Sequence, residues 1–158
     1  GGVIGIVIAS ILFAKKNNQN SFLYLDIVAL VSPIGIFFGR IANFINSELY
    51  GRETDFILSV NFNKVDNVFR HPSQLYESFF EGIILFTILN LLWKKFSEIP
   101  GVISSLFLIF YSLFRFMIEF TREPDAHLGA LMNIFTYGQM LSIAFFISGA
   151  ILFKLLKK

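Results

Sequence analysis

The chain has 158 residues, 55% hydrophobic and 17% aromatic, with a mean hydropathy of +0.68. Only 15% are charged, where a soluble domain carries about a quarter, and 21 Phe residues exceed what a small soluble core needs. A net charge of +2 excludes the basic footprint of a nucleic-acid binder, and the lack of cysteine excludes a disulfide framework, a thiolate metal site and a cysteine nucleophile.

The opening run GGVIGIVIASILFA has no basic stretch before it and no small-residue cleavage site after it, so it does not read as a signal peptide. Beginning at Gly-Gly without Met, the chain reads as a fragment cut near the outer end of a membrane helix. A spanning helix needs about 20 mostly apolar residues. Five segments qualify, near 1–14, 22–39, 77–93, 101–120 and 134–153, the first shortened by the chain start. The expectation is an all-α integral membrane protein, a single polytopic domain over 1–158 with about five transmembrane helices. Asp26, Pro33 and Gly35 make the second segment kinked or partly interfacial. The close glycines Gly1, Gly2, Gly5, Gly35 and Gly39 suit tight helix–helix approach.

Between the second and third segments lies a loop of about 40–76, expected to form a small extra-membrane cap. Within it FILSVNF alternates loosely, as a short strand or hairpin would, and His71-Pro72 reads as a helix start with Pro at the first helical position. Lysines set the orientation. Lys15-Lys16, Lys94-Lys95 and Lys154, Lys157 and Lys158 follow the first, third and fifth segments, so alternating spans put them all on one side, the cytoplasmic one. The loops carrying mixed-charge motifs then face outward.

Four such motifs stand at the ends of apolar runs, where ionisable groups are costly and mark candidate sites. The first, GRIANFINSELYG, holds Arg40, Asn43, Asn46, Glu48 and Gly51. Arg40 offers a planar fork that matches phosphate, with the Asn amides as neutral donors; as an interfacial anchor it would instead snorkel to lipid head groups. The second, Tyr111, Arg115, Glu119 and Arg122, has spacings of four, four and three, which place these residues on one helical face. It is either a self-neutralising ion pair or an Arg115 aimed at phosphate and oriented by Glu119. In the third, RHPSQLYE, His71 is a helix cap or a base, since His titrates nearest neutral pH. The fourth, Thr121-Arg122-Glu123-Pro124-Asp125, is a turn closing the fourth helix, with its charges solvated on the simplest reading and His127 a surface residue beyond it. GQMLS at 138–142 adds an amide near the start of the last helix. No metal-ligand spacing occurs, and no cofactor is expected.

Taken in order, GRIANFINSELYG, HPSQLYES with EG close behind, YSLFRFMIEFTREPD and GQMLS resemble the prolipoprotein diacylglyceryl transferase family over essentially the whole chain. The opening GGVIG is similar to the segment following a His that the family carries before its Gly pair; that His is absent here. The resemblance implies a multi-pass enzyme of the bacterial cytoplasmic (inner) membrane, with its site toward the outer leaflet and about two further N-terminal spans. It implies that the diacylglyceryl group of phosphatidylglycerol moves to the thiol of a lipobox cysteine in a prolipoprotein, releasing glycerol phosphate. Arg40 matches the family's signature Arg, which contacts phosphatidylglycerol; Asn43, Asn46, Glu48 and Gly51 match its other signature positions. Tyr111, Arg115 and Glu119 match the family's important Tyr, Arg and Glu, and His71 its HPSQ histidine. The implied partners are phosphatidylglycerol, the prolipoprotein and membrane lipid. A transporter or channel subunit with an Arg115–Glu119 relay is the competing expectation, although the charges cluster at one interface and transporter sites lie near the midplane. A non-catalytic scaffold is the third.

Overall fold

The computed structural model describes residues 1–123, 130–131 and 135–157. It contains α1 (Gly2–Lys16), α2 (Ser21–Asn46), β1 (Val60–Asn61), β2 (Phe69–Arg70) and α3 (Ser73–Glu77). A π-helical turn (Ser78–Ile84) follows and runs into α4 (Leu85–Phe96). After these come α5 (Val102–Ile118), β3 (Ala130–Leu131), β4 (Phe135–Thr136) and α6 (Tyr137–Leu156). Ser21–Asn46, the continuous stretch Ser73–Phe96 and Tyr137–Leu156 are each long and apolar enough to cross a membrane, and Val102–Ile118 is a shorter apolar helix. The all-α membrane class expected from composition is therefore the class observed.

Each helix has a physical start and stop. Asn20 opens α2 by accepting the Phe22 amide at 2.9 Å, the usual N-cap device. Pro33 sits inside α2, which continues past it to Asn46. Thus GRIANFIN, expected in the outer loop, is the last two turns of this helix. Ser47 ends it in the left-handed region (φ 61°), and the Glu48 amide donates to Asn43 O at 2.9 Å, a helix-closing arrangement. Thr136 and Gln139 form a reciprocal capping box at the start of α6. Pro72 stands at the N-cap of α3, one place before its expected position as the first helical residue.

The core lies where α2, α4 and α5 meet, with Ala29, Leu85, Leu89, Val102, Ile103 and Leu106 buried. Asp26, in the first half of α2, is 2% exposed and reaches across to cap α5. It accepts from the Gly101 and Ser104 amides, both at 2.7 Å, and from Ser104 Oγ at 2.6 Å. A carboxylate at a helix N-terminus is favoured by the orphan amides and the dipole, so Asp26 ties two helices together at the lysine-bearing end. Lys95 and Lys157 lie over the Phe96 ring at 5.4 and 5.6 Å, which gathers the ends of α4 and α6 on that side. Outward faces are apolar: Val3, Ile4 and Leu12 of α1 and Ile151 of α6 are more than half exposed, which lipid tolerates without cost.

At the other end, β1 and β2 pair antiparallel, Val60 opposite Arg70 and Asn61 opposite Phe69. This is the expected small hairpin cap. Arg70 organises it: its guanidinium donates to Asp66 at 2.8 Å and to Gly51 O and Glu123 Oε2 at 3.3 Å, and lies 4.9 Å over the Tyr50 ring. The adjacent guanidinium holds the Asp66 carboxyl below its ordinary value of 3.8.

Candidate functional site

Arg40 and Arg115, from the ends of α2 and α5, converge on Glu77, whose side chain is fully buried. Arg40 Nε stands 3.0 Å from Oε2; Arg115 Nη1 donates to Oε1; Arg122 Nη1 donates to the same oxygen at 3.0 Å. Arg115 Nη2 also pairs with Glu119 Oε2 at 2.8 Å. Glu81, equally buried, has Arg40 Nη2 at 3.8 Å from its Oε2. Three guanidiniums and three carboxylates thus share one pocket at the end of the bundle opposite the lysines.

Local structure brings them there. Gly51 packs against the backbone on two sides: an added Cβ would lie 2.5 Å from Thr121 O and 2.6 Å from His71 Cβ. The Gly51 amide donates to His71 O at 2.9 Å, and Gly51 bridges to Arg122. One glycine therefore clamps the first, third and fourth motifs together. Ser73 Oγ donates to Leu49 O at 3.1 Å and Gln74 Nε2 to Glu48 O at 2.6 Å. Those carbonyls belong to a turn in which Ser47 and Leu49 both hold positive φ, strain that surrounding contacts must hold in place. The Ser-Gln pair of HPSQ is thus a brace for the SELYG turn.

Glu119 is held from α6. Thr136 Oγ1 donates to Glu119 Oε1 at 2.8 Å, and Gly138 leaves room for the carboxylate, since a Cβ there would meet its Cδ at 2.7 Å. Below the charges, Pro33, Ile34 and Phe37 of α2 face Gly82, Ile83 and Phe86 across an apolar groove of about 160 Å³. Gly82 lets the two walls meet, because a Cβ there would stand 2.8 Å from Phe37 Cβ.

The expected residues divide in two. Arg40, Arg115 and Glu119 are in the cluster. Tyr111 lies one turn before Arg115, stacked on Phe107 at 5.5 Å. Asn43 is half-buried, while the side chains of Asn46 and Glu48 are exposed. His71 Nδ1 lies 3.4 Å from Tyr76 Oη, and its ring neighbours Phe56. The four-residue face on the fourth helix needs correction: α5 closes at Ile118 with Glu119 as its cap, so Arg122 reaches Glu77 from the following turn. Nor is Arg122 solvated; it is 7% exposed. Pro124, Asp125 and His127 lie outside the described residues.

Sequence reasoning missed Glu77 and Glu81 as members of the site. The signal was present: two carboxylates four apart in a stretch apolar enough to span a bilayer are rare and functional by default.

Fold and site together define a helical membrane protein with a buried ionic centre at one end of its bundle. The family model for prolipoprotein diacylglyceryl transferase matches residues 1–155, and the chain belongs to that family. It is 51% identical over 151 residues to the phosphatidylglycerol–prolipoprotein diacylglyceryl transferase of Rickettsia bellii (strain OSU 85-389), covering 94% of this chain and 57% of that protein. Identity to the protein of the same name from Aeromonas hydrophila is 46% over 152 residues, 96% of this chain and 55% of the relative. For Campylobacter curvus (strain 525.92) it is 45% over 158 residues, 100% and 57%. The chain spans somewhat more than half the length of these curated relatives.

Proposed function

We propose that this protein transfers the diacylglyceryl group of phosphatidylglycerol to the cysteine thiol of a lipobox-bearing prolipoprotein, releasing glycerol phosphate. On this reading it works in the bacterial cytoplasmic membrane, with five spans and the ionic centre toward the outer leaflet. The observation that carries the reading is the convergence of Arg40, Arg115 and Arg122 on Glu77. Each guanidinium carries five N–H donors, and Arg40 and Arg115 commit only some of them to Glu77 and Glu119, so these two keep N–H groups for a phosphate.

The chemistry follows from charge. The acceptor thiol gives its proton to a base, since the thiolate is the nucleophile. His71 is a candidate; the His that the family carries before its Gly pair is another. The sulfur then attacks the diacylglyceryl carbon that bears the phosphate. A C–S bond forms, the C–O bond breaks, and its electron pair leaves with glycerol phosphate. Arg40 and Arg115 stabilise that leaving charge in a water-poor pocket, where fixed donors count most. Glu119 orients Arg115, Asn43 adds a neutral donor beside Arg40, and the groove along α2 suits an acyl chain. Tyr111 lines the approach, and Gly51 holds the motifs together. Asn46, the last residue of α2, and Glu48, on the turn after it, are exposed and suit contact with the incoming prolipoprotein.

Family membership favours this over a transporter with an Arg115–Glu119 relay. The deciding experiment incubates the full-length protein with phosphatidylglycerol and a lipobox peptide and weighs the peptide by mass spectrometry. A gain of one diacylglyceryl group is expected. Solute flux in proteoliposomes without lipid consumption would sink the proposal.

A further inference from the structure

Glu81 is 0% exposed, and neither of its carboxylate oxygens has a hydrogen-bond partner among the described residues. Its ion-pair partner Arg40 stands 3.8 Å from Oε2, too far for a hydrogen bond. Buried polar groups are nearly always satisfied, and an exception calls for a reason. Here the surroundings supply one. Glu81 sits on the π-helical turn with Glu77 four residues before it, and Arg40 reaches toward both. Wide π-turns inside α-helices recur at functional sites. The orphaned oxygens therefore lie beside a guanidinium fork shaped for phosphate, above the apolar groove whose wall begins at Gly82.

A ligand that completes this arrangement must bring a phosphate for the arginines and a hydrogen-bond donor, a few bonds away, for Glu81. A phospholipid with a glycerol head carries both, because its head-group hydroxyls lie close to its phosphate. We infer that Glu81 accepts a hydrogen bond from a head-group hydroxyl of the donor lipid and so selects hydroxylated phospholipid. This rests on the transferase reading above and adds to it the residue that determines specificity. The arginines bind any phosphodiester; Glu81 distinguishes among them. A lipid lacking the hydroxyl leaves the carboxylate as unsatisfied as it is without ligand, and sites built around a buried polar group reject analogues that cannot pair with it.

The test compares two donor lipids with the full-length protein in mixed micelles: phosphatidylglycerol, and phosphatidylpropanol, which keeps the phosphate but has no hydroxyl. The leaving groups are both alkyl phosphates of similar basicity, so a difference reports recognition. Transfer to a lipobox peptide is followed by mass spectrometry. The wild-type protein is expected to favour phosphatidylglycerol by about 10–100-fold in kcat/KM, the range for leaving a buried polar group unpaired. Glu81→Met removes the acceptor and brings the ratio toward one. Glu81→Gln, the milder change, keeps an acceptor oxygen and gives an intermediate ratio, which preserves the test if the methionine variant does not fold. A wild-type ratio near one overturns the inference without any variant. So does a variant that keeps the wild-type ratio, including one that loses activity equally on both lipids. Transfer from neither lipid by the wild-type protein would overturn the transferase reading itself, a separate outcome.

Discussion

Arg40 and Glu77 meet with Nε 3.0 Å from Oε2, although one lies in the last two turns of α2 and the other ends α3. That contact joins the first and third motifs, and Arg115 and Arg122 bring the second and fourth to the same carboxylate. The pocket is close to charge-balanced without ligand, which keeps the arginines in place inside a low-dielectric bundle.

Removing a guanidinium should separate catalysis from folding. Arg40→Ala and Arg115→Ala are each expected to lower diacylglyceryl transfer by about 10²–10³, the usual loss for one preorganised donor. Both proteins should still appear in the membrane fraction. Mass spectrometry of the acceptor peptide checks the first outcome and immunoblotting of fractions the second; normal turnover in both variants would remove the phosphate role.

Glu77 behaves differently, because it balances three cations. Glu77→Gln leaves them buried without their shared counter-charge, and breaking a buried ion network typically costs about 3–5 kcal/mol. A clear fall in Tm in detergent is expected, larger than for Arg40→Ala, whose side chain is 18% exposed.

Two glycines in one motif make a controlled pair. A Cβ on Gly51 would press on Thr121 O at 2.5 Å, whereas nothing lies within 4 Å of one on Gly39. Gly51→Ala should therefore destabilise by about 1–3 kcal/mol and reduce transfer, while Gly39→Ala leaves stability within about 0.5 kcal/mol of the parent. Thermal unfolding of both variants checks the contrast.

At the lysine-bearing end, Asp26→Ala orphans the Gly101 and Ser104 amides. A loss of about 1–3 kcal/mol per unsatisfied buried group is expected, with faster hydrogen exchange confined to the first turn of α5. Exchange that rises uniformly across all helices would contradict the local cap.

The cap should respond to acid through Asp66, whose carboxyl is held below 3.8 by Arg70. A depressed folded value means the pair's stabilisation is complete above pH 3.8 and is lost as the pH falls through the folded value. The stability difference between the parent and Asp66→Asn should accordingly hold from neutral pH down to the ordinary carboxylate range and shrink as the pH falls below 3.8. A difference that does not shrink as the pH falls below 3.8 would show another source of the effect.

Composition and periodicity alone determined the membrane class, the apolar segments and the side on which the lysines gather, because hydrocarbon admits little else but long apolar helices and leaves charge at their ends. Arg40, Arg115 and Glu119 were legible for the same reason: a charge at the edge of an apolar run stands out. Only the tertiary structure decided that Arg122, grouped with them by spacing, reaches Glu77 from beyond the end of α5 and that Glu77 and Glu81 face them, since three chain segments must fold together before those side chains meet. It alone also decided that Gly51 is a clamp and HPSQ a brace, because a glycine's necessity depends on what its missing Cβ would strike, and that contact comes from residues far along the chain.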